Sequence, residues 1–103
     1  MRKADVYVGE KKAAVFTEHT RSSYELCYEP DYQGPPISLK LPTKKKSYAF
    51  DSFPAFFEGL LPEGVQLEAL LRQKKIDRRD YFSQLLEVGK DMVGSVTVME
   101  IKP

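Results

Sequence analysis

F-P-A-F-F-E-G-L-L-P-E-G, running from Phe53 to Gly64, is the densest apolar stretch of the chain and holds three of its six phenylalanines. Phe53, Phe56, Phe57, Leu60 and Leu61 recur at i, i+3, i+4, i+7 and i+8, the spacing of one helix face. Two prolines and two glycines stand where a helix would start, bend or stop. The pattern predicts a helix capped by Asp51 or Ser52, carrying Pro54 in its first turn and ending between Gly59 and Leu61. Its apolar face should close the core. The Pro62-Glu63-Gly64 corner should carry what is specific to the protein.

Two more helices follow from the same rules. Pro62 suits the first position of the next helix and Glu63 its positive end. Leu67, Leu70 and Leu71 keep the helical spacing, and Arg72, Lys74 and Lys75 place cations near its C-terminus. A third helix is expected after Asp77 as N-cap, with Asp80 three residues on. Tyr81, Phe82, Leu85 and Leu86 form its face and Gly89 its C-terminal stop.

The flanking segments read as strands. Asp5 to Val8 and Lys12 to Glu18 form a hairpin about Gly9-Glu10, with glycine supplying a positive φ. His19 to Ser22 is a polar break, and Ser23 to Glu29 is a third strand with Tyr24, Leu26 and Tyr28 at period two. Pro30 to Pro36 is a proline-rich loop. Ile37 to Leu41 alternates, with Ile37, Leu39 and Leu41 on one side. Lys44-Lys45-Lys46 reads as a solvated turn, and Gly94 to Lys102 as a last strand with Val96 and Val98 on one face. The order predicts an α+β fold: a small antiparallel sheet, built from the N-terminal strands plus the C-terminal one, packed against about three helices. Residues 1–103 are expected to form one domain.

Composition narrows the function classes. The chain is 42% hydrophobic and 30% charged, with a formal net charge of +1. That balance gives no electrostatic footprint for nucleic acid. No apolar run approaches the ~20 residues of a spanning helix, and no apolar segment follows Arg2 and Lys3 as a signal peptide requires. The single cysteine, Cys27, fits a reducing compartment and reads as a packed thiol; a cytoplasmic location is expected. One His and one Cys cannot build a structural zinc site, and His19 lacks a nucleophile beside it. Gly89 to Ser95 mimics phosphate-loop spacing, but Ser95 directly follows Gly94 with no Lys between, so the segment reads as a turn. No catalytic, cofactor-binding or metal-binding residue is expected.

Three blocks resemble a known family. F-F-E-G-L-L-P-E-G (Phe56 to Gly64), D-Y-F-S-Q-L-L-E-V-G-K-D (Asp80 to Asp91) and G-S-V-T-V (Gly94 to Val98) are similar to the N-terminal subdomain of HipA-type toxin kinases. The two-strand start and S-L-K-L-P (Ser38 to Pro42) extend the resemblance over nearly the whole chain. It implies the small α+β subdomain that precedes the ATP-binding and catalytic parts of those kinases, whose functional residues match no position here. Taken as a whole protein, a sequence starting at Met1 and stopping after that strand resembles HipS-like antitoxins, the small component of three-part HipB–HipS–HipT systems. The resemblance implies a separate HipA/HipT-type serine/threonine kinase as partner, with a HipB-type helix-turn-helix protein taking the DNA contact in the same complex. The expected contacting corner is Leu61, Pro62, Glu63, Gly64, Val65 and Gln66; at Val65 relatives often carry a bulkier side chain. The alternative is an excised N-terminal structural subdomain of a full-length kinase, with no inhibitory role.

Overall fold

The computed structural model describes residues 1–89 and 96–101. Five strands, β1 (Arg2–Val8), β2 (Lys11–Thr20), β3 (Ser23–Tyr28), β4 (Ser47–Phe50) and β5 (Val96–Ile101), form one sheet in the order β4-β3-β2-β1-β5. Every pairing is antiparallel. The helices α1 (Ala55–Glu58), α2 (Gly64–Lys74) and α3 (Tyr81–Gly89) lie in sequence between β4 and β5. The fold is therefore the α+β arrangement that the order of elements implies.

Alternation builds the sheet. Gly9 turns the β1–β2 hairpin with φ of 63°, a value open to glycine without steric cost. Register then sets Val6 opposite Ala14 and Val98, and Phe16 opposite Ala4 and Leu26. All of these are fully buried, so one face of the sheet is the core face.

Phe16 is the hub of that face. Its ring stacks on Tyr24 from β3 at 5.8 Å and on Phe82 from α3 at 5.6 Å. It meets Phe57 of α1 at 4.5 Å and Phe53, just before α1, at 5.9 Å edge-on. Such ring pairs add about 0.5–1.5 kcal/mol each beyond the burial of their area. Behind the hub, Gly89 lets α3 approach β5. A Cβ on Gly89 would stand 2.7 Å from the Val98 Cβ, so the glycine at the end of α3 also permits close packing.

Arg2 fastens α3 from the sheet side. Its guanidinium meets Glu18 at 2.7 Å and Asp80 at 2.7 Å, donates to Ser83 Oγ at 2.8 Å, and lies 4.9 Å from the Phe82 ring centre. Asp80 also accepts from the Ser83 amide and hydroxyl, so Asp80, and not Asp77, is the N-cap of α3. Asp77 makes a local turn instead, its Oδ1 accepting from the Arg79 amide at 2.7 Å. Burial pushes the Asp80 carboxyl up, but the bonds from Arg2 and Ser83 more than offset this and leave it below its ordinary value.

Several sequence expectations need correction. The helix over Phe53–Leu61 shrinks to four residues whose N-cap is Pro54, not Asp51 or Ser52. Phe53 is buried ahead of it, Phe57 within it, and Phe56, Leu60 and Leu61 are half-buried. The second helix starts at Gly64 with Glu63 as N-cap, so Pro62 lies outside it. His19 and Thr20 belong to β2 rather than to a break, and β4 went unread. Ile37 to Leu41 is no strand: Ile37 and Leu41 are buried but Leu39 is 93% exposed. Cys27 is exposed, because it faces away from the core between buried Leu26 and Tyr28. Of the Gly89–Ser95 turn, residues 90–95 lie outside the described residues, as does the end of the last strand at Lys102.

Two measurements check this account. Phe57→Ala should lower the unfolding free energy by about 3–5 kcal/mol in denaturant titration, and half-buried Phe56→Ala by less. The depressed Asp80 carboxyl lends stability that is fully present above its unfolded value of 3.8 and is lost as pH falls through its lower folded value. Asp80→Asn should therefore lower the plateau of stability at neutral pH and flatten its acid limb.

Candidate docking corner

The corner between α1 and α2 is built by a stepwise change of backbone. Gly59, Leu60 and Leu61 donate to the carbonyls of Ala55, Phe57 and Glu58 at 3.0–3.1 Å, so α1 tightens into an i→i+3 turn as it ends. Glu63 then becomes extended, with φ of −129° and ψ of 163°. Gly64 takes φ of 60°, and α2 begins with the Leu67 amide donating to the Glu63 carbonyl at 3.4 Å. No side chain caps this start. Gly64 supplies the left-handed step that redirects the chain into the helix.

These turns divide the expected contact residues. Leu61 and Pro62 are half-buried, and Leu61 packs against the core. Glu63, Gly64, Val65 and Gln66 are all exposed, Val65 at 85%. The corner is thus an anchored base under a projecting edge.

The helix behind it is loosely attached. α2 has no fully buried residue. Leu67, Leu70 and Leu71 are half-buried, and among the described residues none of them belongs to the core or to the apolar rim packed on it. Ion pairs tie it down: Lys74 with Glu87 of α3 at 3.9 Å, and Glu68 with Arg78 after its end. Lys75 ends α2 in a left-handed conformation, its amide returning to the Leu71 carbonyl.

Chemistry is sparse elsewhere. Among the described residues no group of three or more His, Cys, Asp or Glu could hold a metal ion, and no helix is long and apolar enough to cross a membrane. His19 sits at the exposed end of β2, 3.2 Å from the Glu25 carboxylate. Another exposed apolar side chain, Leu39, escaped the sequence reading, which placed it on one side with Ile37 and Leu41.

A family model and a solved structure point to the same domain. The family model described as "HipA N-terminal domain" matches residues 4–99. A solved structure described as "N-terminal domain of HipA toxin" superposes with a TM-score of 0.77 at 27% identity, covering 99% of this chain and 94% of that one. An uncharacterized protein of Haemophilus influenzae is 35% identical over 79 residues, which is 77% of this chain and 74% of that protein.

The corner geometry has a direct test. A Cβ on Gly64 would meet nothing within 4 Å, so Gly64→Ala is penalised by its backbone alone. It should cost about 1–2 kcal/mol in chemical denaturation, whereas an unchanged stability would show that the left-handed step is not required.

Proposed function

The chain belongs to the HipA N-terminal domain family, and from that premise we propose that it is a HipS-like antitoxin subunit. It docks onto a separate HipA/HipT-type serine/threonine kinase and restrains it, with no catalysis of its own. A HipB-type helix-turn-helix protein in the same complex takes the DNA contact.

The observation that carries this reading is the exposure of Val65 at the head of a helix with no fully buried residue. Leu61, Pro62, Glu63, Gly64, Val65 and Gln66 form the contacting corner. A rigid turn presents its side chains at low entropy cost, which favours a tight contact. Leu61 and Pro62 fix the base, and Val65 supplies the apolar wedge. Glu63 and Gln66 add polar contacts at the rim.

A second reading is favoured by one comparison. The structural relative is described as a domain of the HipA toxin, so the same surface could meet a kinase within one polypeptide. A reading frame continuing into a kinase domain would select that reading.

Co-expression with the kinase tests the proposal. The chain should co-purify with the kinase and relieve growth arrest; no complex and no relief would sink it. Val65→Asp should change stability by no more than about 0.5 kcal/mol, as surface substitutions generally do, yet weaken neutralisation. A variant that still neutralises fully would remove Val65 from the contact.

A further inference from the structure

Leu39 is 93% exposed, yet the backbone beneath it is firmly held. The buried Tyr28 hydroxyl donates to the Leu41 carbonyl at 2.6 Å and accepts from the Ile37 amide at 3.0 Å. One ring therefore pins both ends of the Ile37–Leu41 segment. Inside it, the Leu41 amide returns to the Ser38 carbonyl at 2.9 Å, and the Lys40 amide donates to Ser38 Oγ at 3.3 Å. Ile37 and Leu41 enter the core. A lone exposed leucine is ordinary on a protein surface. A leucine held out in water by a buried tyrosine is a preorganised knob.

Its surroundings state the chemistry of what would cover it. Beside it lies a small apolar dimple of about 120 Å³, lined in part by Leu41, Phe50, Pro54 and Phe56. Lys40, Lys44, Lys45 and Lys46 are all exposed, and none has an ion-pair partner among the described residues. The lysine run is tied to Tyr28 too, and to Tyr48. The Lys46 carbonyl accepts from the Tyr28 amide at 2.7 Å, Tyr48 donates to the Pro42 carbonyl at 2.6 Å, and the Lys45 ammonium stands 5.1 Å from the Tyr48 ring centre.

We propose that Leu39, flanked by Lys40 and followed on the same loop by the lysine run, is a second anchor for the kinase, seating in an apolar slot edged with carboxylates. The inference rests on the reading of the corner as a kinase contact. Charge selects the occupant. A two-fold contact between copies of this patch would set four lysines against four, which disfavours self-association. Chain continuity points the same way, because Phe56 lines the dimple and α1 runs from there into the corner. The desolvated knob would supply affinity and the lysines the rate of encounter.

Titration calorimetry and stopped-flow association with the purified kinase test this. Leu39→Asp should weaken binding by about tenfold or more while leaving the melting temperature of the free chain unchanged. Replacing Lys44, Lys45 and Lys46 by Ser should slow association and flatten its salt dependence. If wild-type chain and kinase do not bind, the kinase reading itself fails. If they bind, Val65→Asp weakens the complex and Leu39→Asp does not, the corner stands and the second anchor is overturned. Sedimentation of the free chain as a dimer that Leu39→Asp dissociates would also overturn it, in favour of self-association.

Discussion

The packing of Phe16 against four other rings is the constraint on which the structure depends. From the middle of β2 it reaches Tyr24, Phe53, Phe57 and Phe82. It thereby fixes β3, the entry to α1, α1 itself and α3 on one face of the sheet. A domain of this size buries roughly two thirds of its unfolded surface, so one well-filled cluster can hold its layers together. α2 lies outside that cluster. Among the described residues no leucine of α2 joins the core, and the ion pairs that tie it down are largely solvent-exposed, a type worth little in water. Left-handed residues mark both ends of α2, Gly64 where it starts and Lys75 where it stops.

A second organiser works where regular structure stops. Between β3 and β4 the chain carries four prolines, which cannot donate to a ladder. Tyrosine hydroxyls close the loop instead. Tyr28 binds Ile37 and Leu41, Tyr32 binds the Pro35 carbonyl at 2.6 Å, and Tyr48 binds Pro42. Tyr28 and Tyr32 stack at 6.0 Å. Burial pushes the Tyr28 and Tyr32 hydroxyls up, so they remain neutral donors. An ordered loop of this kind can display a side chain without the entropy loss that a mobile loop suffers on binding.

What was legible in the sequence follows from this division. Tyr24, Leu26 and Tyr28 read correctly because one face of β3 is buried and the other is not, and period two reports that difference. Phe57, Phe82 and Leu85 read correctly for the same reason on helices. Leu39 misled because Ile37 and Leu41 alternate like a strand, while the side-chain bonds of Tyr28 from nine and thirteen residues away impose a turn. Asp77 and Asp80 share the chemistry of a cap, and Asp80 takes it through the Ser83 amide and hydroxyl, with Arg2, distant in sequence, holding its carboxylate as well. The α1 helix was overestimated because Phe53 packs from an extended segment at a spacing that a helix would share. β4 has four residues and follows a lysine run, too short for a pattern to show. The corner was legible as a break, since Pro62 and Gly64 mark it, but its exposure depends on how little α2 packs.

The separation of hub and corner bears on how such a chain could change its binding. Substitutions around Phe16 alter packing at near-crystalline density and are felt as stability. Those at Glu63 to Gln66 meet solvent, and at Gly64 an added Cβ would touch nothing. The projecting edge can therefore vary in size and charge while the sheet and α3 stay as they are. Its base cannot vary so freely, because Leu61 packs on the core and Gly64 must keep a positive φ. The surface free to adapt to a partner is thus short, and it is bounded on its N-terminal side by core packing and at Gly64 by backbone geometry.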